Sequence, residues 1–199
     1  MSHYFENDQN LVSEIKPFDV IIGDMKFYFN TDNGVFSKGE LDFGTRLLIN
    51  NLLEHNLHGN ILDLGCGYGP IGIILKKLLD VNVWMSDINN RAIHLTKMNA
   101  KKNNVDIHVL SGDGYENINE EFDYIVSNPP IRVGKKKLYE LLTSSKNYLK
   151  KNGELIIVVR KEQGALSLMK DMSKYYSVQV LDKAKGFLII SLKNDWLMV

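Results

Sequence analysis

A single cysteine, four prolines and no long apolar run are what this 199-residue chain has least of. One thiol, Cys66, excludes an intrachain disulfide and suits a reducing compartment. No stretch approaches membrane length, no signal peptide follows Met1-Ser2-His3, and no Pro- or Ser-rich linker divides the chain, so a soluble, cytoplasmic protein without a membrane partner is expected. The five histidines, His3, His55, His58, His94 and His108, form no ligand spacing with cysteine or acids, and no metal is expected. Internal repeats and low-complexity tracts are missing too. Net charge is also missing, since 24 basic residues balance 24 acidic ones, whereas nucleic-acid enzymes are often basic. The balance is uneven along the chain: between Arg132 and Lys161 nine basic residues stand against Glu140 and Glu154. In that segment Arg132 and Lys135 to Lys137 are candidates for phosphate contact or for a solvated face. Lys146, Lys150 and Lys151 are expected to serve the end of a helix.

A hydrophobic content of 44% is enough for one core, and 1–199 reads as one α/β domain, with a hairpin and helix in 1–57 preceding a core in 58–199. Phe18–Ile22 and Lys26–Asn30 flank Gly23-Asp24-Met25 as an antiparallel hairpin. Ser37 and Glu40 have capping-box spacing ahead of a helix from Leu41 to His55 with an apolar stripe of Leu47, Leu48 and Leu52. Strands then alternate with helices: Asn60–Leu64, Asn82–Ser86, Ile107–Leu110, Phe122–Val126 and Glu154–Val159 with Ile71–Leu79, Arg91–Asn103, Lys136–Leu149 and Ala165–Tyr175. This alternation implies a doubly wound, mostly parallel sheet of Rossmann-like type. Ser177–Leu181 and Phe187–Leu192 close it as a hairpin, which supplies an antiparallel C-terminal strand.

Two motifs carry chemistry. Ser127-Asn128-Pro129-Pro130 ends a buried strand, and it suits methylation of a planar amino group. Such an amine is a poor nucleophile unless acceptors hold its hydrogens and turn its lone pair toward the methyl donor. The Asn128 amide oxygen is one acceptor, and the Pro129 carbonyl, in a backbone stiffened by Pro129 and Pro130, is a second. A strand merely ended by prolines is the bland alternative. The other motif is the turn Ile61–Gly72, where Gly65, Gly67 and Gly69 remove every Cβ and let backbone approach a ligand at the start of a helix. Gly67 to Gly72 also satisfies the dinucleotide pattern G-x-G-x-x-G, with Asp87 twenty residues after Gly67, so the turn alone does not choose a cofactor. Asp63 favours a cationic ligand such as S-adenosylmethionine, or braces the loop. Cys66 reads as a small space-filling residue.

With these residues the chain resembles class I S-adenosylmethionine-dependent methyltransferases of the small-subunit (16S) ribosomal RNA guanine-N2 family. The resemblance runs through Gly34–Ser37, Leu41–Leu48, Ile61–Gly72, Ser86–Asn89, Ser127–Pro130 and Arg160–Ala165. It implies S-adenosylmethionine as cofactor, bound within 58–199, and ribosomal RNA or the small ribosomal subunit as partner of a monomeric enzyme. Asp87 then takes both ribose hydroxyls of the cofactor, or is a helix N-cap, the neighbouring Ile88 is a further cofactor contact, and Asp113 takes the adenine amino group or is only a turn residue. Asp42 closes the cofactor pocket or favours the helix dipole. Ile131 stands where amino-methylating relatives commonly carry Tyr or Phe after the prolines. Phe36 is a candidate to stack on the target base in its place, and Ile131, Arg132, Lys135 and Lys136 are candidate substrate contacts. The rivals are a protein-glutamine or DNA amino methyltransferase, an NAD oxidoreductase, and a non-catalytic RNA-binding relative.

Overall fold

The computed structural model describes residues 12–35, 39–129 and 134–195. Seven strands form one sheet in the order β5-β4-β3-β6-β7-β9-β8: β3 (Asn60–Leu64), β4 (Asn82–Asp87), β5 (His108–Ser111), β6 (Phe122–Ser127), β7 (Leu149–Arg160), β8 (Ser177–Ala184) and β9 (Phe187–Lys193). From β5 across to β7 every pairing is parallel, and β9 lies antiparallel to both β7 and β8, the closing strand expected of the sequence. Apart from it stands the hairpin of β1 (Lys16–Ile22) and β2 (Met25–Thr31).

The near-continuous apolar runs of these strands reflect burial on both faces. On β7, Ile156 and Val158 point into one core and Leu155, Ile157 and Val159 into the other. The first core packs under the hairpin and helices α1 (Phe43–Glu54), α2 (Pro70–Leu78) and α3 (Asn90–Lys102). The second lies under α4 (Lys135–Ser144) and α5 (Ala165–Met172). No helix among the described residues is long and apolar enough to cross a membrane.

Several element ends differ from the sequence reading, among them the start of β7 at Leu149 and the end of α5 at Met172, and two are set by identifiable single contacts. Helix α1 starts later, because Asp42 is its N-cap and accepts from the Thr45 N–H at 3.1 Å. Ser37, the expected cap, is outside the described residues. Helix α4 stops at Ser144, followed by a 3-10 turn at Ser145–Asn147, where the hydroxyls of Ser145 and Tyr176 both donate to the Leu142 carbonyl. Lys150 and Lys151 therefore lie on β7 and serve no helix end, and Lys150 pairs with Asp123 at 2.8 Å.

The hairpin is fastened by two asparagines one turn apart, Asn99 on α3 and Asn103 at its C-cap. Asn103 accepts from Tyr28 N–H at 3.0 Å and donates to Tyr28 C=O at 2.7 Å, while Asn99 accepts from Asn30 N–H at 2.8 Å and donates to Asn30 C=O at 3.0 Å. Their amides imitate a neighbouring strand and cover the free edge of β2. Asn99 also donates to the Tyr68 carbonyl in the glycine turn at 2.8 Å, which ties hairpin, helix and turn together. Asn99→Ala leaves three polar backbone groups without their partner and should cost about 2–4 kcal/mol. Urea denaturation checks the loss, and accelerated amide exchange at Asn30 locates it.

Candidate active site

In an open parallel sheet, ligands bind where the strand order reverses. Here that point lies between β3 and β6, whose C-terminal ends carry the two motifs. The Ser127 hydroxyl donates to the Leu64 carbonyl at 2.7 Å and joins those ends directly. Past Leu64 the chain folds onto β4, with the Gly65 and Cys66 N–H groups both donating to the Ser86 carbonyl, at 2.8 and 2.9 Å.

The glycines of the turn do different work. Gly65 and Gly67 have φ of 72° and 59°, and a Cβ on either would meet nothing within 4 Å, so bare backbone faces open space. A Cβ on Gly69 would press on Ile73, Thr96 and Met85, and one on Gly72 would lie 2.8 Å from Met85. Gly72 is thus held to glycine by packing, and Gly69 by its φ of 92° together with its close neighbours. Cys66 fills space as expected: it is buried, with Sγ 3.6 Å from the Thr96 hydroxyl, and burial pushes its thiol well above the usual range.

Two carboxylates flank the turn. Asp63 is 1% exposed, and its Oδ2 accepts from the Gly72 N–H at 2.9 Å, so it does brace the first turn of α2. Its Oδ1 is buried without a hydrogen-bond partner among the described residues. Burial pushes this carboxyl up to about 7, the Gly72 N–H opposing the rise and the Asp87 charge adding to it. A buried acid with an unanswered oxygen is a place for a cation. Asp87 accepts from Gly67 N–H and Asn89 N–H, each at 2.8 Å, and burial raises it from its ordinary value against the pull of those donors. Both oxygens retain lone pairs for further donors. Helix α3 does not draw on Asp87 for capping, because Asn89 is the N-cap and accepts from Arg91 N–H at 2.9 Å. Beside it Ile88 leaves 36% of its surface exposed, an apolar face next to the acid.

At the end of β6, Pro129 is buried and Asn128 half-buried. The Asn128 side-chain NH2 donates to the Thr45 hydroxyl at 2.9 Å, and its Oδ1 accepts from no described residue. The amide is thus held through its nitrogen, with Oδ1 left on the other side. The sequence reading missed Thr45, although it stands inside the resembling stretch Leu41–Leu48. Its signal was the cap one turn earlier: Asp42 fixes the first turn of α1 and thereby the Thr45 position.

The remaining candidates are placed as follows. Asp42 is the α1 cap. Asp113 is half-exposed and ion-paired with Lys137 at 2.5 Å. Lys135 pairs with Asp171 at 3.7 Å and lies 4.9 Å from the Tyr139 ring centre, whereas Lys136 has no partner among the described residues. Counting charge along the sequence hides Asp113, Asp123 and Asp171, which neutralise this basic segment from elsewhere in the chain. Phe36, Pro130, Ile131 and Arg132 lie outside the described residues. Among those described, no group of three His, Cys, Asp or Glu is placed to hold a metal.

Residues 26–191 match the methyltransferase small domain family. The uncharacterized protein YbxB of Bacillus subtilis is 39% identical over 197 residues, covering 96% of this chain and 98% of its own. The ribosomal RNA small subunit methyltransferase C of Photorhabdus laumondii is 40% identical over 134 residues, 65% of this chain and 39% of that protein. The Haemophilus influenzae protein of that name is 36% identical over 81% of this chain and 49% of its own. The chain thus spans half or less of the small subunit methyltransferase C relatives it matches. Among solved structures, the T. thermophilus 16S rRNA N2 methyltransferase in complex with AdoMet and guanosine superposes with a TM-score of 0.81 at 23% identity, over 90% of this chain and 50% of that one. A ribosomal protein L11 methylase from Lactobacillus delbrueckii superposes at 0.67 with 19% identity, covering 83% and 84% of the respective chains.

The buried Asp63 makes stability depend on pH. Its folded value of about 7 exceeds the unfolded 3.8, so the folded state holds the extra proton. The stabilisation is complete below the unfolded value and is lost as pH rises toward 7. Asp63→Asn should remove this decline and raise the melting temperature of the ligand-free protein at pH 8 by roughly 5–10 °C, with little change near pH 4. Thermal melts of both proteins across pH 4–8 provide the check.

Proposed function

This chain belongs to the methyltransferase small domain family, and on that footing we propose that it transfers a methyl group from S-adenosylmethionine to guanine N2 in small-subunit ribosomal RNA. The observation that carries the reading is the Asn128 amide, turned by Thr45 so that an unoccupied carbonyl oxygen stands at the switch point of the sheet. The residues fit the cofactor. The unpartnered Oδ1 of Asp63 answers an ammonium group, Gly65 and Gly67 admit it to their backbone, and Asp87 has lone pairs left for two ribose hydroxyls. Ile88 offers an apolar surface to the adenine. Bound there, S-adenosylmethionine supplies a methyl group already activated by its sulfonium.

The protein's own part is then positioning. Asn128 Oδ1 accepts one amine hydrogen, and the Pro129 carbonyl accepts the other. Two acceptors fix the plane of the amine and build partial negative charge where the nitrogen turns positive. No general base has to act in the transition state, since the surplus proton leaves after the methyl group has moved. Guanine is favoured by the relatives named for small-subunit ribosomal RNA and by the guanosine held in the structural neighbour. An NAD oxidoreductase would leave both Asn128 and the orphan oxygen of Asp63 without a role.

Three variants test the assignment. Asp87→Ala should weaken S-adenosylmethionine binding by roughly 1.5–3 kcal/mol, because a charged acceptor for two hydroxyls is lost. Unchanged affinity by calorimetry would remove Asp87 from the cofactor site. Asn128→Ala should lower kcat by about 100-fold with cofactor binding preserved. Thr45→Val keeps the side-chain shape and lets the Asn128 amide turn over, so kcat should fall by roughly 10-fold, less than on deleting the amide. Nucleoside mass spectrometry of the digested RNA should show N2-methylguanine, and methylglutamine as sole product would favour the protein-modifying rival.

A further inference from the structure

The end of β7 and the turn between β8 and β9 stand on the same rim as Asn128, because β7 is the parallel neighbour of β6. There Arg160 and Phe187 are register partners, and the guanidinium lies 4.7 Å from the centre of the Phe187 ring. Phe187 meets Phe43 with ring centres 5.6 Å apart, and Lys185 Nζ lies 4.8 Å from the Phe43 ring. The four side chains form one column of cation, ring, ring, cation. Phe43 opens α1 two residues before Thr45, so the column abuts the helix turn that orients Asn128.

Its construction is specific. A Cβ on Gly44 would approach the Phe187 ring to 2.8 Å, so glycine is needed for the ring to lie there. Lys161 N–H donates to Gly186 C=O at 2.7 Å and locks the two segments together. Lys185 holds a φ of 45° in a turn where Asn or Gly costs less, which places its ammonium on the rim at a conformational cost. The charge there is also less compensated than on α4. Arg160 pairs with Glu162 at 3.2 Å, while Lys161 and Lys185 have no acidic partner among the described residues.

We propose that this column is the docking site for the single-stranded RNA backbone flanking the target nucleotide, with Arg160 and Lys185 gripping phosphates and the outer guanidinium face open to an adjacent base. Cations mounted on rings lose little freedom when they meet a phosphate, and bases in unpaired RNA stack on guanidinium planes. The proposal rests on the reading of the substrate as RNA. It assigns the grip to residues on the opposite side of Asn128 from the neutralised lysines of α4.

The double variant Arg160→Gln/Lys185→Gln tests it against a matched control, Lys77→Gln/Lys101→Gln. The control residues are exposed and sit at the C-terminal ends of α2 and α3, on the other rim of the sheet. With a single-stranded ribosomal RNA fragment, the first pair should weaken binding by about 10-fold or more and reduce the slope of log affinity against log salt by about 1.4, as expected for two lost phosphate contacts. KM for RNA should rise in step while S-adenosylmethionine affinity holds, and the control should match the parent. A parent that methylates RNA alongside a double variant indistinguishable from the control would overturn the column alone. A parent that transfers no methyl group to RNA would overturn the substrate reading and the column with it.

Discussion

Bare backbone has to be held rigidly at the mouth of the sheet, and the Asp87 carboxylate does that holding. Its Oδ2 takes the Gly67 N–H while the Ser86 carbonyl takes those of Gly65 and Cys66, so the turn is clamped to β4 on both sides of its own tip. Glycines without side chains would otherwise leave the segment the least ordered part of the chain. The clamp also opposes the upward push of burial on the Asp87 carboxyl, since each donor it accepts lowers the cost of burying its charge. Support of the turn and presentation of an acid are thus one arrangement. Asp63 is the counterpart on β3: one oxygen takes the Gly72 N–H in the first turn of α2, and the other has no partner among the described residues.

The same economy explains the first part of the chain. Without its neighbours a two-stranded hairpin would be marginal in water. Here Asn99 and Asn103 complete the edge of β2, and Asn99 reaches on to the glycine turn, so the hairpin shares its anchorage with that turn. Asn89 donates to the Gly34 carbonyl at 3.0 Å and Arg91 to the Asn33 carbonyl at 2.7 Å, which pins the loop after β2 to the start of α3, just past Asp87 and Ile88.

Strand and helix periodicity made the sheet legible, because burial on both faces writes continuous apolar runs between punctuating glycines and polar loops. Asn60–Leu64 was readable to the residue, and the closing hairpin within a few residues. Ends governed by single contacts were not. The start of α1 depends on which of several polar residues caps it, and Asp42 prevails by bonding to Thr45. The stop of α4 depends on Tyr176, distant in sequence, meeting the Leu142 carbonyl. The site divides in the same way. Asp63, Gly65, Gly67, Asp87 and Asn128 are legible as candidates from local pattern, because each stands at or just past the end of a strand inside a short motif. Thr45, Phe43, Phe187 and Lys185 become neighbours only through the fold. The lysines of α4 show the converse, since partners distant in sequence cancel a charge excess that looked local.

Methyl transfer to an amine is chemistry in which geometry carries nearly all of the catalysis, so the origin of that geometry decides what counts as the active site. Asn128 sits at the end of β6, but a free amide can present either its oxygen or its nitrogen, and only the oxygen is an acceptor for an amine hydrogen. Here the amide is held through its nitrogen by a hydroxyl on α1, a helix placed ahead of the whole sheet in the chain. Helix α1 in turn is seated by Leu48, Ile49 and Leu52, all fully buried in the first core, and by a cap one turn before Thr45. Under the proposed function, orientation of the substrate amine follows from how α1 packs on the sheet. A change in that packing far from Asn128 would reach the reaction through Thr45, with no alteration of the motif itself.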